Sequence, residues 1–320
     1  MDLIEKLRQS SGVRRARRSA LKVIGLGSAA AVAPRTTLAI RPAPAPNWRT
    51  IPVSQEKLAP VGMGTWVTFN VGDSPAARND RSRVLQAFFS AGGGLIDSSP
   101  MYGSAQAVLG DLLSRQNHPE SLFSATKVWT GSADEGIAQV HDAQRLWRVP
   151  RFDLLQVHNL LNWQAHLPML FDLKSQGLLR YVGVTTSHGR RHSDLAALMK
   201  SQPVDFVQLT YNPVDTQAAR ELLPLARERG IAVIVNRPFR RGQLIASLAQ
   251  TRLPALAGEL GCVSWAQLLL KWVLADPAVT CVIPATSQVA HMQENMAAGT
   301  GVLPDRAQRQ QIAALVRQAW

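Results

Sequence analysis

The chain has little of what marks several common functional classes. Two cysteines in 320 residues, Cys262 and Cys281, exclude a disulfide framework. No Cys/His cluster has metal-ligand spacing, so no metal site is expected. A Gly-x-Ser-x-Gly elbow is absent, which removes the usual serine-hydrolase arrangement. The run Gly92-Gly93-Gly94 precedes an apolar segment instead of following one, so there is no Gly-x-Gly-x-x-Gly dinucleotide fingerprint either. Charged residues make up only 18% of the chain and apolar ones 46%, which argues against disorder and allows a full core. No apolar run is long enough to span a bilayer of about 30 Å.

What is there in excess is positive charge, +13 overall. Much of it is local. Residues 1–39 hold Lys6, Arg8, Arg14, Arg15, Arg17, Arg18, Lys22 and Arg35 against Asp2 and Glu5, so +6 of the total belongs to this leader. The remainder is scattered, with no basic helix interleaved with aromatics, so nucleic-acid binding is not expected. The leader combines a basic start, a short apolar stretch from Val23 to Ala33 and the small-residue end Thr37-Leu38-Ala39, the three regions of an export signal. Arg17-Arg18-Ser19-Ala20-Leu21-Lys22 resembles a twin-arginine signal, which implies the twin-arginine export machinery as a partner and a periplasmic location. A basic mitochondrial-type presequence is the alternative. Residues 40–48, with Arg41-Pro42-Ala43-Pro44-Ala45-Pro46, read as an extended linker.

From residue 49 to 320 one pattern repeats. Ile51 to Leu58 alternates like a small hairpin. Strand-like apolar runs then fall near 61–66, 94–97, 122–126, 152–157, 180–184, 205–210, 231–235 and 279–283, separated by helical patterns. Eight buried strands alternating with helices predict a single (β/α)8 TIM barrel with an N-terminal hairpin and auxiliary helices. The helices expected include Arg81–Ala91 after an Asn79-Asp80 cap, Ala133–Arg148 with Ile137, Val140 and Leu146 on one side, and Ala218–Arg229 ending at Gly230. Two helical runs are expected within 242–274, and a last helix over 305–320. Cys262 and Cys281 read as free, buried thiols, with a single bridge between them as the alternative in an exported chain.

Three consecutive strands end in Asp97, Lys127 and His158, and the loop after the first presents Tyr102. In a parallel barrel those ends share the face that carries catalysis. A phenol, with an ordinary pKa of about 10, is expected to need the nearby cation Lys127 to lower it before it can act at neutral pH. Asp97 has no carboxylate partner at a strand end, which argues against a glycoside hydrolase.

The segments GMGTW, GLIDSSPMYGSAQAVLG, ATKVW, DLLQVHN, LRYVGVTT, VQLTYN and VIPATSQVAHMQEN, in this order, resemble the aldo-keto reductase superfamily over about residues 49–300. The resemblance implies NAD(P)H-dependent reduction of an aldehyde or ketone, with Asp97, Tyr102, Lys127 and His158 as the catalytic tetrad. It implies NADPH as cofactor, with NADH possible. Thr185, Thr186 and Gln208 match the carboxamide positions; Asn236 and Arg237 stand where many members place a stacking Tyr. The loop carrying Arg237, Arg240 and Arg241 would meet the diphosphate, and Thr286, Glu294 and Asn295 match ribose-phosphate and adenine positions, while Ala285 and His291 stand where many NADPH-dependent members place basic residues near the 2′-phosphate. Trp66 and Trp129 are expected to line the substrate pocket for a small carbonyl compound. The long C-terminal loop of many relatives is largely missing before Trp320, which predicts a shallow, permissive site; a monomer is the default. A non-catalytic nicotinamide-binding or regulatory barrel of the same superfamily is the alternative.

Overall fold

Alternation along each strand decides which residues fill the inside of the barrel. A computed structural model describes residues 45–320; the segment read as an export signal and most of that read as a proline-rich linker lie outside the described residues. Ten strands occur in chain order: β1 Arg49–Thr50, β2 Lys57–Leu58, β3 Met63–Gly64, β4 Leu95–Asp97, β5 Phe123–Val128, β6 Phe152–Val157, β7 Leu179–Thr185, β8 Phe206–Thr210, β9 Ala232–Asn236 and β10 Val279–Val282. β3 to β10 form one parallel sheet in sequence order, and a parallel bridge between Val61 and Val282 brings its two edges together. This is the expected (β/α)8 barrel.

Inside, Leu95, Phe123, Ala125, Leu154, Tyr181, Phe206, Ala232, Ile234 and Cys281 form one apolar cluster. Each belongs to a single parity of its strand, because successive side chains point to opposite faces. The antiparallel pair β1–β2 plugs the end at which the strands begin: Ile51 and Leu58 belong to the same cluster, and the Tyr181 hydroxyl bonds Ser54 and Glu56 of the hairpin turn. The opposite parity packs outward against the helices, as with Val128, Leu155, Val157, Val182 and Val207.

Those helices are α1 Pro75–Ser90, α2 Ala105–Arg115, α3 Ala133–Trp147, α4 Trp163–Ser175, α5 His192–Ser201, α6 Leu222–Arg229, α7 Gln243–Ser247, α8 Ala255–Glu259, α9 Trp265–Leu274, α10 Val289–Ala297 and α11 Arg306–Ala319. Three expectations need correction. α1 begins six residues early, because Ser74 caps it and Pro75 occupies its first position, a stronger start than Asn79-Asp80. The buried stripe of α3 is Gly136, Val140, Ala143 and Trp147, and Ile137 is exposed. The large side chain decides it: Trp147 packs edge-on against Phe152 and donates its indole N–H to Gln106. Third, the 242–274 interval holds three helices, α7 to α9. The capping box at Asp305 and Gln308 starts α11 as expected. Cys262 and Cys281 are both free and buried. None of the described helices is long and apolar enough to cross a membrane.

Candidate active site

The interior parity that is apolar at mid-barrel turns polar at the strand ends. Leu95 is followed two residues later by Asp97, Phe123 and Ala125 by Lys127, Leu154 by Gln156 and His158, and Phe206 by Gln208. The result is a buried polar layer above an apolar one. Asp97 and Lys127 have side chains 3% and 0% exposed, and the Lys127 ammonium donates to Asp97 Oδ2 at 2.5 Å and to the Ser98 carbonyl at 2.8 Å. The other carboxylate oxygen accepts from Gln156 Nε2 at 3.0 Å and Gln208 Nε2 at 2.9 Å. Gln208 Oε1 in turn accepts from Asn236 Nδ2 at 3.2 Å. Room for Gln156 comes from Gly183 on the next strand, where an added Cβ would stand 3.1 Å from Gln156 Cγ.

Tyr102 reaches the same layer from the loop after β4. Ser99 and Pro100 start a single 3₁₀ turn that ends at Gly103, whose φ of 60° suits glycine. The Lys127 ammonium lies 5.2 Å from the centre of the Tyr102 ring. The phenol's pKa is nevertheless raised well above its ordinary value, by burial first and by the Asp97 charge second. This corrects the expectation that Lys127 lowers it. The lysine's charge is matched by the carboxylate 2.5 Å away, so desolvation of the phenolate dominates. Tyr102 therefore keeps its proton at neutral pH.

His158, edge-on to Tyr102 at 5.9 Å, has its pKa lowered to about 3 by burial and by the Lys127 charge. It is neutral. Ser99 Oγ accepts from Met101 N and lies 2.9 Å from His158 Nδ1; assigning the hydroxyl proton to that contact leaves the imidazole proton on Nε2.

These residues open onto a cavity of about 1050 Å³. Of the residues expected at the site, Asp97, Tyr102, His158, Thr185, Gln208, Asn236, Arg237, Arg241, Thr286, His291, Glu294, Asn295 and Trp66 line it. Lys127 lies just beneath, bound to Asp97. Besides Lys127, three do not line it. Thr186 lies just past the end of β7 and contributes its carbonyl, which accepts from Asn236 Nδ2. Trp129 lies beyond the end of β5, where Gln139 holds its backbone N–H and carbonyl, and its indole is 42% exposed. Arg240 is drawn away by Asp215 at 2.9 Å and lies over the Trp320 ring. Arg241 instead crosses the mouth to stack 4.4 Å from the Trp66 ring.

Sequence reasoning missed Gln156, Ser99, Asn159, Ser187 and His188. Gln156 was detectable, since it stands two residues before His158 on one strand face. Non-glycine residues in the left-handed region gather at this mouth, among them Val67, Asn159, His188, Arg237 and Arg241, a pattern characteristic of functional sites. Burial, and then the charges of Arg241, Arg240 and Arg190, lower the Arg237 pKa against the opposing charge of Asp215, and its buried Nε has no partner among the described residues. No group of three or more metal-binding side chains occurs among the described residues.

The fold and the site together define a parallel barrel with acid–base machinery buried at the ends of its strands. The model of the aldo/keto reductase family matches residues 60–316, and the chain belongs to that family of oxidoreductases. It is similar to the NADH-specific methylglyoxal reductase of Escherichia coli, at 25% identity over 81% of this chain and 90% of the relative. It is also similar to pyridoxine 4-dehydrogenase of Escherichia coli, at 26% over 70% and 82%. Among solved structures, an aldo/keto reductase from Klebsiella pneumoniae in complex with NADP and acetate aligns with a TM-score of 0.72 at 22% identity, over 83% of this chain and 94% of that one. The glycerol dehydrogenase of Gluconobacter oxydans aligns with 0.72 at 18%, over 85% and 96%.

Proposed function

We propose that the chain reduces aldehydes or ketones to alcohols with NADPH, NADH being the alternative nucleotide. The observation that carries this reading is that Tyr102 and His158 line one cavity above the buried Asp97–Lys127 pair, where burial favours a protonated phenol and a neutral imidazole. Tyr102 Oη gives its proton to the carbonyl oxygen, and His158 Nε2–H orients that oxygen by a hydrogen bond. Lys127, held by Asp97, faces the phenolate that results. The reduced nicotinamide supplies the hydride when bound, since no side chain can.

The residues present suit such a cofactor. The cavity is at the upper end of the range for small-molecule sites, about 300–1000 Å³, enough for a nucleotide with a small substrate. Arg237, with a buried unpartnered Nε beside other cations, is a site for an anion, and Arg241 lies at the same mouth. Thr286, His291, Glu294 and Asn295 form the far wall where the nucleoside would lie. Thr185 and Gln208 line the inner end, with Asn236 giving a polar surface where many relatives place an aromatic ring. The relatives' names support either nucleotide, one being NADH-specific and one solved structure holding NADP.

The leader supports export by the twin-arginine route to the periplasm, and we propose that the barrel works there as a monomer. Cell fractionation with Arg17-Arg18 changed to Lys-Lys tests the export; retention of exported protein by that variant refutes it. The reaction is tested by fluorescence titration of the purified protein with NADPH and NADH, followed by an aldehyde panel. Turnover lost in Tyr102→Phe with nucleotide binding kept supports the assignment. Binding without turnover points to a regulatory barrel, and binding of neither nucleotide refutes the oxidoreductase reading.

A further inference from the structure

Beside His158, the structure holds one more polar group in a fixed orientation. Asn159 sits in the left-handed region at φ 54°, which asparagine tolerates well. Its backbone N–H donates to Thr185 Oγ1 at 2.9 Å, and its carbonyl accepts from Arg191 at 2.9 Å. The side chain is set by a chain of hydrogen bonds whose direction can be read. A guanidinium only donates, so Arg237 Nη1 must donate to His188 Nε2. His188 then carries its proton on Nδ1 and donates to Ser187 Oγ at 2.9 Å. Ser187 Oγ, whose own O–H is not needed by His188, donates to Asn159 Oδ1 at 3.0 Å. Three of the four polar groups of Asn159 are thereby occupied. Its Nδ2 amide has no partner among the described residues, although Asn159 lines the catalytic cavity.

We propose that Asn159 is a specificity-determining residue whose Nδ2–H donates to an oxygen on the carbon next to the reacting carbonyl, selecting α-hydroxy and α-oxo aldehydes and ketones over plain ones. The inference rests on the reductase reading above. Tyr102 and His158 already serve the carbonyl oxygen, so a third free donor lining the same cavity is available to a second oxygen. The relay keeps the amide from flipping. Its charged end at Arg237 polarises each successive bond in the same sense, so a donor, not an acceptor, faces the substrate. Leaving that donor dry against a plain alkyl group is unfavourable, and this is how a hydrogen-bonding site discriminates.

The test compares kcat/KM for glycolaldehyde and acetaldehyde in the full-length protein, with nucleotide affinity measured alongside. Asn159→Ala is expected to lower the glycolaldehyde-to-acetaldehyde ratio about tenfold while the nucleotide Kd stays constant. Asn159→Asp, close to isosteric and able to keep the Ser187 bond, replaces the donor by an acceptor and lowers the ratio at least as far. His188→Phe breaks the relay and lowers the ratio in the same direction, and adding it to Asn159→Ala produces no further fall. A ratio unchanged in both Asn159 variants overturns the proposal, as does a fall explained by weakened nucleotide binding. A wild-type protein that turns over acetaldehyde without favouring glycolaldehyde overturns it and leaves the reductase reading standing. A wild type that reduces neither compound refutes both.

Discussion

Unfolding lets His158 take up a proton that the native site refuses, and this makes the site's electrostatics measurable without a substrate. In the folded chain its pKa is about 3, lowered by burial and then by Lys127; in the unfolded chain it returns to about 6.5. Between those values the unfolded state binds one proton more than the folded one, so stability falls as pH falls through that window. From pH 7 to pH 5 the loss attributable to this one residue is about 2 kcal/mol, and it approaches about 5 kcal/mol at full extent near pH 3. Carboxylates contribute their own acid sensitivity, so the residue is isolated by comparison with His158→Gln, which cannot titrate. Urea unfolding of both proteins at pH 7, 6 and 5 should show the wild type losing about 2 kcal/mol more than the variant across the series. Parallel curves would refute the reasoning, because they would mean that the imidazole is solvated or paired in the native state. The same lowered pKa predicts no contribution from His158 to the acid limb of a pH–rate profile above about pH 4.

Two further outcomes follow from packing and charge. Lys127→Met leaves Asp97 as a buried carboxylate without its cation, a change that costs about 3–5 kcal/mol when nothing compensates. Gln156 and Gln208 still donate to Oδ1, so the low end of that range is expected, seen as a midpoint drop of several degrees in thermal unfolding; an unchanged midpoint would contradict it. Gly110→Ala places a Cβ 1.7 Å from the Leu146 carbonyl oxygen where α2 meets α3. Neither backbone can yield cheaply, so the variant should be destabilised by about 3 kcal/mol or more or fail to fold, and wild-type stability would show the contact to be looser than described.

The barrel was legible because its strands are short apolar runs at regular spacing with helices between, eight in number, as a (β/α)8 barrel requires. The grouping of Asp97, Lys127 and His158 at one end of the barrel was legible for a related reason. Each of Asp97, Lys127 and His158 interrupts an apolar run at its downstream end, where a polar residue would otherwise be out of place. What failed was side-chain direction beyond the strands. Thr186 follows Thr185 in sequence, yet β7 ends at Thr185, and it is the Thr186 carbonyl that Asn236 holds. Trp129 keeps the inward parity of Lys127, but β5 has ended at Val128 and parity no longer applies. Arg240 and Arg241 are adjacent in one loop, and only their partners, Asp215 with Trp320 for one and Trp66 for the other, separate their roles. Those partners are 25 to 175 residues away in the chain, so no local pattern announces them.

The state of Tyr102 bears on the direction in which the site works. The sequence reading assigned Lys127 the task of lowering the phenol's pKa, whereas burial and Asp97 raise it. Reduction needs the phenol protonated, and oxidation of an alcohol needs it deprotonated to receive the proton. A phenol whose pKa lies above its usual value of about 10 is protonated at pH 7, the state that the proposed reduction requires of it. Carbonyl reduction should therefore hold level from about pH 6 to 9, while alcohol oxidation by the same protein should rise steadily with pH over that range. Rate profiles in both directions at saturating nucleotide decide the matter. A reduction rate that titrates away with an apparent pKa below about 8 would mean that Lys127 governs the phenol after all. That result would require the lysine's charge to be released from Asp97 when the cavity fills, and Asp97→Asn, which removes a charge that raises the phenol's pKa, would then move the titration to lower pH.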